Sequence, residues 1–386
     1  MNEILSFIAD LTGGMYYKSF RYCFDGVEVP TVAYDDNRII TMSQDRIGET
    51  DKSLKKTKSV ADLSEKIMRD GKPLFRFFLD GSRRTYKVDD ISYGDRIYPI
   101  IAGQIGAGCC ERSEPDSFKP SVLGMQIVLA LPDCADKDGG KDLFFNSLTQ
   151  KINNLDVLKK RGISFKKVLN YTDRALKEGE KYEHKGIAKI QDEMVETEKN
   201  LVVQLVRERK LNFQSYLLKD GSLEYKKIKG ADYKDLSAIK SNYQCVVGVS
   251  KTFNPELFKD KRRKNLAKRI ADLPLFHRTP AFRYANERAP GVEFSIWYLR
   301  VREISKTISP FDGILKVEKI LITDEEQERG LDSDEIDHIS ANLVNERHPT
   351  CYGLDSRWAN HLYPVYLTEK YIKSNYLSEV QFLNLF

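Results

Sequence analysis

Two apolar runs in this chain are interrupted by the same three residues. "FRFFLDGSRRTYKV", Phe75 to Val88, breaks at Asp80-Gly81-Ser82, and "YLLKDGSLEY", Tyr216 to Tyr225, breaks at Asp220-Gly221-Ser222. Asp-Gly between alternating runs is the ordinary sequence of a tight hairpin turn. An Asp at the end of a strand buried on both faces does something else. It projects into the crevice where open α/β sheets hold ligands. Both readings of Asp80 and Asp220 stand at this level.

A third acid lies on the long helix expected from about Lys185 to Lys210. With Glu198 as zero and about 100° per residue, Ile187 and Leu205 fall near −20°, Met194 near −40°, Val202 near +40° and Leu201 near −60°. Glu198 is therefore inside the apolar stripe, whereas Glu196 points to solvent. A buried carboxylate needs a partner: a Lys or Arg, or a cation shared with Asp80 and Asp220. Carboxylate oxygens around Mg²⁺ or Mn²⁺ are the equipment of phosphodiester hydrolysis, in which the ions activate a water and steady the leaving oxygen.

Other residues are compatible with such chemistry. Lys251 ends "CVVGVSK", either as a surface lysine on an apolar stem or as a point charge beside a phosphate. "KDKRRKNLAKR", Lys259 to Arg269, holds seven basic residues in eleven. It is a solvated face or a phosphate-contacting surface, with Lys261, Arg262 and Arg263 at its centre. "GQIGAGCC", Gly103 to Cys110, lacks the Gly-Lys-Ser/Thr of a nucleotide loop, so any motor must be another chain.

The elements that must position these residues read as strands first, then helices alternating with strands. Strands are expected at Leu74–Leu79, Arg84–Asp89, Tyr98–Gly106, Val122–Leu131, Ile163–Asn170, Ser215–Lys219, Cys245–Ser250, Glu293–Val301 and Gly313–Ile322. Helices are expected at Asn2–Leu11, Val60–Arg69, Lys141–Arg161, Pro255–Ala271, Asp334–Arg347 and Trp358–Tyr376. The pattern predicts a mixed α/β sheet flanked by helices. Residues 1–72 read as an N-terminal extension and residues 73–386 as the main domain.

With 386 residues, 41% hydrophobic and 11% aromatic, the chain has material for a large core. Its net charge of +5 is too mild to announce a nucleic-acid binder alone. The longest apolar runs fall short of the roughly 20 residues of a membrane helix, so no membrane is expected. "MNEILSFIADLTGG" lacks a basic start, and the six scattered cysteines form no CxxC pair. A cytoplasmic protein without disulfides or a zinc knuckle is expected.

Taken in order, "FFLDGS", the acid on the helix, "YLLKDGSL", "VVGVSKT" (Val246 to Thr252) and "LYPVYLTEKY" (Leu362 to Tyr371) resemble the NurA family. The resemblance spans about Leu74 to Tyr371. It implies an RNase H-like core and a Mn²⁺- or Mg²⁺-dependent nuclease acting on DNA ends with a HerA-like hexameric ATPase, in repair or phage defence. It implies Asp80, Glu198, Asp220 and Lys251 as catalytic residues. The metal ligands would be Asp80, Glu198, Asp220 and Glu369, with His361 and His348 as other candidates for the C-terminal ligand. A homodimer is expected, with residues 1–72 and the apolar "NYLSEVQFLNLF" as contact surfaces. Two alternatives remain: a catalytically inactive DNA-binding or scaffold subunit, and another RNase H-like nuclease such as an Argonaute PIWI domain, for which no guide-end motif is found.

Overall fold

The computed structural model describes residues 3–17, 21–23, 40–42, 47–137, 139–140, 142–223, 233–260, 265–285, 292–307, 309–349 and 356–386. Among these, thirteen strands form one sheet and two form a separate pair.

The chain opens with helix α1 (Glu3–Thr12), strands β1 (Met15–Tyr17), β2 (Tyr22–Cys23), β3 (Ile40–Met42) and β4 (Lys58–Ser59), and helix α2 (Ala61–Asp70). Three long strands follow, β5 (Phe75–Tyr93), β6 (Arg96–Glu114) and β7 (Ser117–Pro132). Next come helices α3 (Asp142–Asn153) and α4 (Asp156–Arg161), strand β8 (Lys167–Tyr171) and the long helix α5 (Tyr182–Arg207). Strand β9 (Tyr216–Asp220), helix α6 (Tyr233–Asn242) and strand β10 (Val246–Ser250) complete the centre. The remainder is β11 (Phe258–Asp260), α7 (Ala267–Ala271), β12 (His277–Arg278), β13 (Phe282–Ala285), β14 (Glu293–Arg300), β15 (Ile314–Leu321), α8 (Asp324–Arg329), α9 (Ser333–Asn345), α10 (Tyr363–Ser374) and α11 (Glu379–Leu383).

The sheet runs β4-β12-β14-β15-β10-β9-β5-β6-β7-β8. At its heart β5, β6 and β7 are successive antiparallel strands, while β9 and β10 lie on the other side of β5, parallel to it and to each other. Three antiparallel strands followed outward from the first by two parallel ones make the RNase H-like order. The two central parallel strands are covered on both faces, and they read as unbroken apolar runs for that reason.

Side-chain alternation along β5 fixes what each face meets. Leu79 belongs to the cluster containing Leu201, Val202 and Leu205 of α5, and Arg83 donates to Gln191 of the same helix. Phe78 belongs to the opposite cluster, with Leu343 of α9 and Val365 of α10. The Thr368 hydroxyl of α10 donates to the Phe78 carbonyl. Helix α5 thus covers one face and α10 the other. Pro364 sits in the first turn of α10, where its missing N–H costs no helical bond.

Several expected elements differ. The strands expected at 74–79 and 84–89 are one strand of 19 residues, because β6 pairs with it from Phe77 to Tyr93, straight through Asp80-Gly81-Ser82. The helix expected at 141–161 is two, separated at Asn154 and Leu155. In its described residues the helix expected at 255–271 is a single turn at Pro255–Leu257, strand β11, and the five-residue α7. Strand β11 forms because it pairs in parallel with the distant β3. The helix expected at 358–376 begins at Tyr363, after a short turn at Ser356–Asn360.

The described parts of residues 1–72 join the same framework. Strands β1 and β2 pair with β5, and β4 pairs with β12. Glu49 is fully buried, bonded to the equally buried Arg278, which also binds Asp337 of α9. The apolar C-terminus is largely turned inward, although Val380 is exposed. Phe382, Leu385 and Phe386 are buried against Ile4, Leu5 and Ile8 of α1.

Candidate active site

The two Asp-Gly-Ser copies are built differently. Asp220 ends β9, and Gly221 takes a φ of +81°, so the second copy does turn. Asp80 does not turn, because β5 continues through Gly81 and Ser82 in register with Ala107 and Gly106 of β6. The parallel pairing of β5 with β9 ends at Leu79↔Lys219. Asp80 therefore stands where β9 parts from β5, one residue past that pair and near Asp220, which stays paired with Val249 of β10. A crevice opens at such a point.

Alternation puts Asp80 on the α10 face with Phe78, and Asp220 on the same face with Leu218. Val249 of β10 also faces α10, and Lys251 follows it two residues on. The Lys251 ammonium is 2.8 Å from Asp220 Oδ2. Glu369 of α10 overlooks the same place, bonded by the more exposed Lys373 one turn later. Asp80 Oδ1 accepts from the Gly81 N–H at 2.8 Å.

Glu198 comes from the other side. Its carboxylate lies against Gly81, where a Cβ would collide with it. Its partner is Lys219, whose ammonium is 3.1 Å from Glu198 Oε2 and 2.7 Å from the Asp220 carbonyl. Both side chains are about 95% buried (relative exposures of 4% and 5%). The salt bridge offered as one partner for Glu198 is thus present. Lys219 was missed in the sequence, although it is a charge on the α5 face of an apolar strand and calls for an acid on that helix.

The electrostatics tie the two faces together. Burial pushes the Asp80 carboxyl well above the usual range; Asp220, Glu369 and Glu198 push the same way, and Lys251 pulls against them. Burial likewise raises Glu198, opposed by Lys219. Burial acts to lower both lysines, but the surrounding acids, led by Glu198 for Lys219 and by Asp220 for Lys251, hold their ammoniums above the ordinary value. Burial acts to raise Glu369, yet Lys251 and Lys373 keep it low.

Four carboxylates and three ammoniums, those of the buried Lys219 and Lys251 and the more exposed Lys373, leave an acidic excess of one charge around Asp80. Hard oxygen donors with that excess suit a divalent cation. Among the described residues, however, no three His, Cys, Asp or Glu side chains stand ready to hold a metal ion. Three of the four carboxylates are drawn onto lysines instead: Glu198 onto Lys219, Asp220 onto Lys251 and Glu369 onto Lys373.

Of the other expected residues, His361 and His348 are buried near α10, where the His348 ring packs between Tyr363 and Tyr366. His361 is close enough to Glu369 to help keep that carboxyl ionised. Lys261, Arg262 and Arg263 lie outside the described residues. No helix among the described residues is long and apolar enough to cross a membrane.

No known family profile and no curated protein matches the chain. Among solved structures it is similar to the NurA nuclease from Sulfolobus solfataricus, at 11% identity and a TM-score of 0.42, over 84% of this chain and 89% of that one. A likeness so slight says nothing about activity, which has to be argued from the side chains.

Proposed function

We propose that the chain is a divalent-metal-dependent nuclease that cleaves DNA. The observation that supports this reading most is the pairing of Asp80 with Asp220 on adjacent parallel strands, with Glu369 on the same face. Asp80, Asp220 and Glu369 would hold a Mn²⁺ or Mg²⁺ ion, with Glu198 as the fourth carboxylate at its margin. The bound ion would supply Lewis acidity and an activated water at the phosphorus. Lys251 then holds Asp220 in place and presents positive charge to the substrate phosphate. Lys261, Arg262 and Arg263 carry affinity for the DNA backbone.

The wider assignment belongs to the same reading. The enzyme is cytoplasmic and acts as a homodimer on DNA ends fed by a HerA-like hexameric ATPase, in repair or phage defence. Two sites about a two-fold axis match the two antiparallel strands of a duplex. The exposed parts of residues 1–72 are the docking surface for the motor. The test is cleavage of end-labelled DNA with Mn²⁺ and with EDTA, by wild type and by Asp80→Asn. Cleavage that survives either EDTA or the substitution overturns the metal site. Sedimentation at micromolar concentration tests the dimer, and a monomer removes it.

A second reading is favoured by one observation, the engagement of Glu198 and Asp220 by lysines. In that case the chain is a catalytically inactive DNA-binding subunit. It would bind DNA without Mn²⁺ and would not cut it.

A further inference from the structure

We propose that Lys219 takes the place of a second cation, so that the site binds one divalent ion per chain rather than a pair. The inference rests on the metal-site reading above and deepens it.

Paired metal ions are generally shared by carboxylates that each contribute an oxygen to one or both of them. Here the four carboxylates are divided by the sheet. Asp80, Asp220 and Glu369 share the α10 face, whereas Glu198 reaches Gly81 from the α5 face. The Glu198 charge is already met, by an ammonium 3.1 Å away that is itself buried. Lys219 is further fixed by donating to the Asp220 carbonyl at 2.7 Å.

Taking Glu198 as a metal ligand would strand that ammonium in the interior. An unpaired buried charge is costly, so the pair resists being opened. Lys219 meets Glu198, Lys251 meets Asp220 and the more exposed Lys373 meets Glu369, which leaves Asp80 as the carboxylate of the four with no lysine ion pair among the described residues. Lys219 is a positioning residue in this scheme: it touches neither metal nor substrate, and it decides what Glu198 is available for.

Titration calorimetry with MnCl₂ alone, on the full chain, tests the proposal without recourse to activity. Wild type binds one Mn²⁺ per chain, and Lys219→Met, which frees Glu198, binds two. Two ions on wild type, or one on a folded Lys219→Met, overturns the proposal. Because Lys219→Met leaves Glu198 buried without a partner and can fail to fold, Glu198→Gln supplies a second arm. That variant keeps one Mn²⁺, weakened by no more than the roughly ten- to hundredfold typical of groups behind the ligands. Loss of the ion in Glu198→Gln makes Glu198 a ligand and overturns the proposal. Absence of any Mn²⁺ binding by wild type, or undiminished binding by Asp80→Asn, brings down the metal-site reading itself. It takes this inference with it, and it is distinct from a wrong stoichiometry.

Discussion

The Glu198 carboxylate occupies the space that a Cβ on Gly81 would fill. The glycine after Asp80 is therefore required for close approach of a helix side chain, not for a turn. Gly81→Ala is expected to push Glu198 off Lys219 and cost about 1–3 kcal/mol, the usual penalty of overpacking. Mn²⁺-dependent cleavage should fall with it. Gly221→Ala is the contrasting case, since its φ of +81° strains any side chain by about 1–2 kcal/mol while a Cβ there would meet only the Lys219 ammonium, at an ordinary contact distance of 3.7 Å. Urea melts and cleavage rates of the two variants check this. Equal loss of cleavage in both would mean that Glu198 contact is not what matters at position 81.

Asp80→Asn should stabilise the metal-free protein. The substitution keeps the shape and removes one charge from a buried group of carboxylates that repel it. The same variant should lose its response to Mn²⁺. Wild type, with the ion at 100 times its dissociation constant, gains about 2.7 kcal/mol of stability. Thermal melts with and without Mn²⁺ give both halves. A wild-type melt that does not move with Mn²⁺ sinks the second.

Glu346 gives a pH dependence remote from the site. It is buried against Arg112, which stacks on Phe78 and Phe118. Burial pushes its carboxyl from 4.5 up to about 7, with Arg112 pulling the other way. A carboxyl with a raised folded-state value binds its proton more tightly when folded. Its contribution to stability is complete below 4.5 and is lost as pH rises through about 7. The urea midpoint should therefore decline over that window, and Glu346→Gln should flatten the decline. A midpoint that rises between pH 4.5 and 7 in wild type and not in the variant would reverse the assignment.

The sequence revealed most where burial on both faces wrote an unbroken apolar run. Strands β9, β10, β14 and β15 stand within a residue or two of their expected places. Helix α5 and its buried Glu198 followed from helical periodicity. What escaped depended on contacts distant in sequence. Asp80-Gly81-Ser82 has the local chemistry of a turn, but the pairing of β5 with β6 overrides it. Strands β1, β2 and β11 have three residues or fewer, too short for alternation to show, and each exists through a partner far along the chain. Lys219 was legible in principle, since a lysine in an apolar strand and a glutamate in an apolar helix stripe are each unexplained alone and explained together.

The last expectation separates two kinds of positive charge. Lys251 is buried and bonded to Asp220, so it cannot add much to general attraction for DNA. Lys251→Met should leave DNA affinity nearly unchanged, while the turnover of bound DNA falls. It also deprives Asp220 of its partner, so the folded fraction must be checked alongside. Lys261, Arg262 and Arg263 act, in the proposed role, through release of counterions from the phosphate backbone. Each phosphate contact contributes about 0.9 to the slope of log affinity against log salt. Replacing all three by Ala should reduce that slope by about 2–3 and weaken binding, with turnover at saturating DNA preserved. Binding titrations at several salt concentrations and single-turnover rates distinguish the two effects. A triple variant with the wild-type salt slope would return the basic run to the role of a solvated surface.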